Sequence, residues 1–258
     1  MQYCIDAACC CSTGCKRRNN EDNFYFNGHI LPQENNGLEK IITAQIEVME
    51  KSVSFGVFDG MGGEEDGQVA SYIAADIFKD KCTETYKYRS LPEGFLENAV
   101  THMNNAVCQE AELRHCHMGT TAAILSFWKD EVYACNVGDS KIFRLHQDEL
   151  LQISEDHTDA KFLAECGIHN RRPQLSQYIG ISPDEMVIEP HIVKCELCLE
   201  DRYLICSDGL TDMVSAAEIN SIMKKSSSAK DCAERLIESA LGHGGKDNIT
   251  VIVVKIKE

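Results

Sequence analysis

Val53-Ser54-Phe55-Gly56-Val57-Phe58-Asp59-Gly60-Met61-Gly62-Gly63 sets a short apolar run, strand-like in length and composition, directly against an aspartate and a glycine-rich turn. The same device recurs four times: Arg17-Arg18-Asn19-Asn20-Glu21-Asp22, Val137-Gly138-Asp139-Ser140, Cys206-Ser207-Asp208-Gly209-Leu210 and Lys246-Asp247-Asn248-Ile249-Thr250. Each acid stands next to a glycine, an acid or an asparagine beside a strand-like run. Carboxylates delivered in this way can converge on hard divalent cations, which take oxygen ligands. Each aspartate alone also reads as a turn former or helix N-cap. Capping does not account for the ordered set.

Outward from that stretch, the first sixty residues read mostly as strands: Tyr3 to Cys11, Asn23 to His29, Ile41 to Met49 and Val53 to Phe58. Two helices follow. Val69, Ile73 and Ile77 repeat at helical spacing in the first, and Phe95, Ala99, Met103 and Val107 in the second, with Pro92 suited to its first turn. Strands return at Thr120 to Trp128, Glu131 to Val137 and Lys141 to His146, with Lys129-Asp130 and Gly138-Asp139-Ser140 read as hairpin connections. A polar segment from Ser154 to Glu185, with a helix-like piece at Ala160 to Cys166, leads to strands at Val187 to Val193 and Tyr203 to Cys206. Helices at Ala216 to Lys225 and Ala229 to Leu241 precede a buried strand at Ile249 to Ile256. Helix pairs between blocks of strands suggest α+β layers.

A chain of 258 residues with 43% hydrophobic content can bury a sizeable core. No linker or repeat divides it, so one domain over residues 1–258 is expected. A formal charge of -16 disfavours nucleic acid and anionic lipid surfaces as partners. No apolar run approaches bilayer-spanning length and no export signal follows Met1, which leads to the expectation of a cytoplasmic protein. The 14 cysteines therefore read as reduced thiols. Adjacent strand residues point to opposite faces, so Cys9-Cys10-Cys11 cannot share one ion. Cys195-x-x-Cys198 has no second pair to complete a zinc site.

In their order, the five acid-bearing strings resemble the signature of the metal-dependent protein phosphatases, the type 2C Ser/Thr phosphatases, in their bacterial form. The resemblance runs from about Tyr3 to the C-terminus. It implies a four-layer αββα sandwich, two antiparallel sheets flanked by helix pairs, which the strand pattern alone would not give. It implies hydrolysis of phosphoserine and phosphothreonine by a hydroxide bridging two divalent cations, Mn²⁺ or Mg²⁺, with no phospho-enzyme. Asp59 is expected to bridge the ions and the carbonyl of Gly60 to face one of them. Asp208 and Asp247 are expected to complete one ion, with Glu21 and Asp22 acting largely through water. Arg17 is the expected phosphate ligand. Asp139 and Asp208 would hold a weaker third ion, although a hairpin-turn aspartate is the competing reading of Asp139. The implied partners are phosphorylated proteins, among them a Ser/Thr kinase or its targets, met by a monomer. The alternatives are a catalytically silent phosphoprotein-binding module and a phosphatase of an anti-sigma-factor antagonist.

The chain also departs from the family pattern. Eukaryotic relatives place a histidine two residues after the bridging acid, where this chain has Met61, and bacterial relatives often have one after the glycine pair, where it has Glu64. The source of the proton for the leaving oxygen stays open. His157 reads as a hydrogen-bonded structural histidine, and Gly119-Thr120-Thr121 as packing at a strand start near the site. The short variable flap, about 157–184, carries Arg171-Arg172-Pro173, read equally as a steering element and as a solvated loop.

Overall fold

Alternation along the first strand sorts its side chains into two cores: Ile5, Ala7, Cys9 and Cys11 enter one, Ala8 and Cys10 the other. The computed structural model describes residues 3–48, 52–62, 66–85 and 94–258. Its strands are β1 (Tyr3–Ser12), β2 (Asp22–Phe26), β3 (Ile42–Val48), β4 (Val53–Gly62), β5 (Met118–Thr120), β6 (Ala122–Trp128), β7 (Glu131–Val137), β8 (Lys141–His146), β9 (Glu149–Gln152), β10 (His191–Glu196), β11 (Arg202–Cys206) and β12 (Ile249–Lys257). Its helices are α1 (Asp66–Thr85), α2 (Phe95–Arg114), α3 (Ala160–Glu165), α4 (Asp208–Thr211), α5 (Ala216–Lys225) and α6 (Ala229–Gly242).

One antiparallel sheet runs β3-β1-β12-β11-β8-β9 and the other β10-β7-β6-β4-β2, with β5 paired to β4. Between the sheets lies a core that includes Phe24, Phe26, Phe55, Phe127, Tyr203, Ile252 and Val254. The Phe127 and Tyr203 rings meet edge to face across the two sheets, 5.6 Å between centroids, a geometry worth about 0.5–1.5 kcal/mol beyond burial. Helices α1 and α2 cover the outer face of the second sheet through Ala74, Phe78, Ala99 and Met103, while α5 and α6 cover the first through Ile219, Met223, Cys232 and Leu236. The expected αββα order of layers is therefore present. Ser215 and Ser228 cap α5 and α6 by accepting from Glu218 N and Asp231 N. Buried Asp6 on β1 ties the two layers together, pairing with Lys257 at 2.7 Å and accepting from Ala229 N at the start of α6.

Several boundaries differ from the sequence reading. Strand β2 stops at Phe26, because Asn27 and Gly28 turn with φ of 48° and 89°. Strand β4 continues through Asp59 to Gly62, so the acid lies within a strand rather than beyond its end. The strand read from Val187 begins at His191. The edge strand β9 was missed; its two-residue turn, Gln147-Asp148 with φ of 48° and 67°, lacks a glycine. The larger correction concerns Gly138-Asp139-Ser140. It is not a hairpin, since β7 pairs with β6 and β10 while β8 pairs with β11 and β9 in the other sheet. Met49, Gly63, Glu64, Glu65 and Pro92 lie outside the described residues. All fourteen cysteines are free thiols. Among the described residues, no helix is long and apolar enough to cross a membrane.

Candidate active site

Strand pairing puts the first two acids side by side, because Asp22 and Asp59 are direct partners in the β2–β4 register. Asp59 is held from behind by its backbone: its N–H donates to Thr121 Oγ1 at 3.0 Å, and its carbonyl accepts from Thr121 N at 2.9 Å and Thr120 Oγ1 at 3.0 Å. The Gly119-Thr120-Thr121 string thus acts as the clamp on the central acid. Gly60 follows because the start of α1 crosses here; a Cβ at this position would stand 2.1 Å from Gly67 O and 2.6 Å from Glu21 O.

Asp208 comes from the other sheet as the first residue of α4, immediately after β11. Asp247 precedes β12, and the neighbouring Asn248 fastens the loops around it. Asn248 accepts from Glu21 N at 2.8 Å and donates to the carbonyls of Thr13 and Asn19 at 3.0 Å each. Asp139 enters where the chain passes from one sheet to the other, with Ser140 tied to Thr121 at 2.7 Å. These elements enclose a cavity of about 250 Å³. Arg17, Glu21, Asp59, Gly60, Asp139, Asp208 and Asp247 all line it, with Met61, Thr121, Leu175 and Arg172.

Asp22 lies beneath this surface rather than on it. Its Oδ2 accepts from Ser207 Oγ at 2.8 Å and Thr250 Oγ1 at 2.6 Å, while buried Oδ1 has no hydrogen-bond partner. An orphaned buried carboxylate oxygen beside a second carboxylate is costly unless a cation compensates it. Burial pushes the Asp59 carboxyl well above its ordinary range, and the charges of Asp22, Asp208, Asp139 and Asp247 add to the rise. Burial, followed by the charges of Asp139 and Asp212, pushes Asp208 up to about 7. Glu21 and Asp139 are raised by burial as well, against the opposing charges of Arg17 and Lys141 respectively. The donor set is all oxygen, and its repulsion is the kind that hard divalent cations relieve.

Two cations of the protein already lean on the cluster. Arg17 Nη2 donates to Asp247 Oδ2 at 2.7 Å from a half-exposed position. Arg172 of the flap donates to Asp208 Oδ2 at 2.9 Å and Asp212 Oδ2 at 3.0 Å. Arg171 turns away toward Gln174 and Asp159. The basic flap pair is thus divided, which its sequence did not reveal, and Asp212, one helical turn beyond Asp208, was missed with it. Ser207 and Thr250 carried a legible signal, since both adjoin the acid-bearing strings. His157 accepts from Gly138 N through Nδ1 at 3.3 Å and is absent from the cavity wall, in keeping with its structural reading.

A second cluster is already neutralised. His146, Cys198 and Asp201 bring ligand atoms within 4.8 Å of one another. Arg144 donates to Asp201 Oδ2 at 2.7 Å and to Cys198 Sγ at 3.5 Å, and the Tyr203 hydroxyl donates to Asp201 Oδ2 at 3.2 Å. His146 Nδ1 stands 2.7 Å from Asp201 Oδ1. Asp201 is therefore a buried carboxylate satisfied by protein donors, and Cys198 does not need a metal to account for its place.

Comparison with known proteins bears on this geometry. A family model described as Protein phosphatase 2C matches residues 43–239. The serine/threonine phosphatase Stp of Listeria innocua is 32% identical over 211 residues, which cover 77% of this chain and 82% of the relative. The crystal structure of the Mycobacterium tuberculosis serine/threonine phosphatase PstP/Ppp superposes with a TM-score of 0.78 at 27% identity, over 99% of this chain and 100% of that one. A structure of the catalytic domain of PstP in complex with two manganese ions superposes with a TM-score of 0.75 at 27% identity, again over 99% and 100%.

Proposed function

The chain belongs to the protein phosphatase 2C family of serine/threonine protein phosphatases, and from that premise we propose that it hydrolyses phosphoserine and phosphothreonine esters of proteins with divalent cations held by its carboxylate cluster. The single observation that carries the reading is the convergence of Glu21, Asp59, Asp139, Asp208 and Asp247, from separate parts of the chain, on one cavity. The pair of manganese ions in the related catalytic domain supports Mn²⁺ as an occupant of such a site, and Mg²⁺ meets the same oxygen donors.

Asp59, at the centre of the cluster, would hold two cations together with Asp208, Asp247, Glu21 and the Gly60 carbonyl, with Asp22 supporting them from beneath the cavity, and Asp139 with Asp208 would hold a weaker third. Bound there, the cations would acidify a water and neutralise charge on the phosphoryl oxygens. The rest is the work of the chain. Thr120 and Thr121 fix the backbone of Asp59 so that its carboxylate cannot retreat from its neighbours. Asp22, wedged behind it, adds negative charge that strengthens the cluster for cations. Arg17 spends one N–H on Asp247 and keeps other donors of its planar fork for phosphoryl oxygens. The bare cluster repels a phosphate dianion, so cations would have to occupy the site before substrate could enter it.

The site draws on residues from Arg17 to Asp247, which supports a single catalytic domain over 1–258 with the flap at about 157–184 as its variable part. A role opposing a Ser/Thr kinase follows from the substrate class. The test is phosphate release from a phosphothreonine peptide with Mn²⁺ and with EDTA, using Asp59→Asn as control. Metal-dependent release lost in the variant is expected. No release by the wild type under either condition would overturn the enzyme reading in favour of a silent binding module.

A further inference from the structure

Beside the catalytic cavity, and sharing Met61, Gly62 and Leu175 with it, runs a second trough of about 460 Å³. The first is ringed by acids and arginines. The second has no Asp, Glu, Lys or Arg among the described residues that line it; its walls include Met61, Ala111, Met118, Leu175 and Tyr178. In a chain of net charge -16, a recess whose described lining is mostly apolar, with His117 and Gln174 as its polar side chains, is a local exception beside an ionic centre.

The recess is built rather than incidental. Gly119 forms part of its floor, and a Cβ there would stand 2.5 Å from the Tyr178 ring, so the missing side chain lets the ring lie against β5. The loop that carries the tyrosine is pinned by the two residues that follow it. Ile179 N donates to Thr120 O at 2.8 Å and Thr120 N to Ile179 O at 2.9 Å, while Gly180 N donates to Asn104 Oδ1 of α2 at 2.6 Å. A wall fixed in this way does not have to be ordered when a ligand arrives.

We propose that this trough receives a large apolar side chain of the substrate, one to three residues from the phosphorylated serine or threonine, and so selects phosphoproteins by an apolar neighbour of the phosphosite. The inference rests on the phosphatase reading above. The occupant follows from continuity: a chain whose phosphate enters the first cavity must leave over its rim. The rim shared by Met61, Gly62 and Leu175 leads directly into the trough, and extended residues advance about 3.3 Å each. Charge argues the same way, since an acidic neighbour would approach the carboxylate cluster while an apolar one would leave water for Tyr178 and Leu175.

The experiment uses phosphothreonine peptides that carry Phe, Ser or Asp in turn at each of the three residues before and after the phosphothreonine, assayed for kcat/KM with Mn²⁺. Phe is expected to exceed Asp by about tenfold or more at one position, within the range that an apolar pocket discriminates. Ala111→Glu, from half-buried Ala111 near the end of α2, should erase that ratio while p-nitrophenyl phosphate is hydrolysed at the wild-type rate. Exposed His117 also lines the trough, so His117→Glu is the second variant should the first fail to fold, with the same expectation. Equal rates for all peptides, or a preference untouched by the folded variants, would overturn the inference and leave the phosphatase reading standing. Absence of turnover on every peptide and on the aryl phosphate would overturn that reading and this one with it.

Discussion

Asp139→Asn separates a metal ligand from a structural connector in a single preparation. Asp208 is pushed up to about 7 by burial first and by the Asp139 charge next. A rise of that size from the ordinary carboxylate value corresponds to about 4 kcal/mol against the ionised form. The share of Asp139 ranks behind burial and is on the order of 1–2 kcal/mol, as for like charges in a partly solvated cavity at an effective dielectric of about 20. In EDTA at pH 8, above the raised Asp208 value, Asp139→Asn should therefore raise Tm by roughly 2–8 °C for a chain of this size. The sign follows from linkage. Folded Asp208 keeps its proton to about pH 7 whereas the unfolded one loses it near 4, so the metal-free protein loses stability as pH rises through that window, and the variant loses less. With Mn²⁺ the order should invert: a site filled at a hundred times its Kd stabilises by about 2.7 kcal/mol, and the variant should forgo one such increment together with turnover. Differential scanning calorimetry in EDTA and in Mn²⁺, with phosphopeptide turnover on the same samples, reads all three. A lower Tm in EDTA with a full Mn²⁺ gain and full activity would refute the reasoning and leave Asp139 as a connector between sheets.

Asp59→Asn should cut phosphopeptide turnover by more than about a hundredfold with the fold intact, read by kinetics alongside circular dichroism, because it removes the anionic ligand at the centre of the cluster. Arg17→Ala should raise KM and weaken inhibition by inorganic phosphate with Mn²⁺ binding nearly unchanged; calorimetry showing lost Mn²⁺ affinity with normal phosphate inhibition would make Arg17 a brace for Asp247. Asp201→Asn should destabilise by about 3 kcal/mol in denaturant titration, since Arg144 would lose its buried counterion, with kcat per folded molecule unchanged.

The layers were legible because the side-chain pattern states them. β1 alternates Ile5, Ala7, Cys9 and Cys11 with Ala8 and Cys10, and the helix faces repeat at 3.6-residue spacing, so both periods point inward. Most acids of the cavity were legible for a related reason, each being held next to a residue that permits a close turn. The route of the chain between sheets was not. Three residues, Gly138 to Ser140, serve equally as a hairpin or as a crossing, and only the pairing of β8 with β11 decides it. The position of Asp22 under the cavity depends on Ser207 and Thr250, which lie far along the sequence on the other sheet. Arg172 and Arg171 are adjacent and chemically alike, and the course of the flap backbone gives one to Asp208 and the other to Gln174.

Anomalous scattering from a crystal equilibrated with Mn²⁺ tests the central claim most directly. The account predicts at least two manganese peaks in the cavity, both in contact with Asp59 and one of them with Asp208 and Asp247. A well-ordered cavity with no manganese among these carboxylates would contradict it.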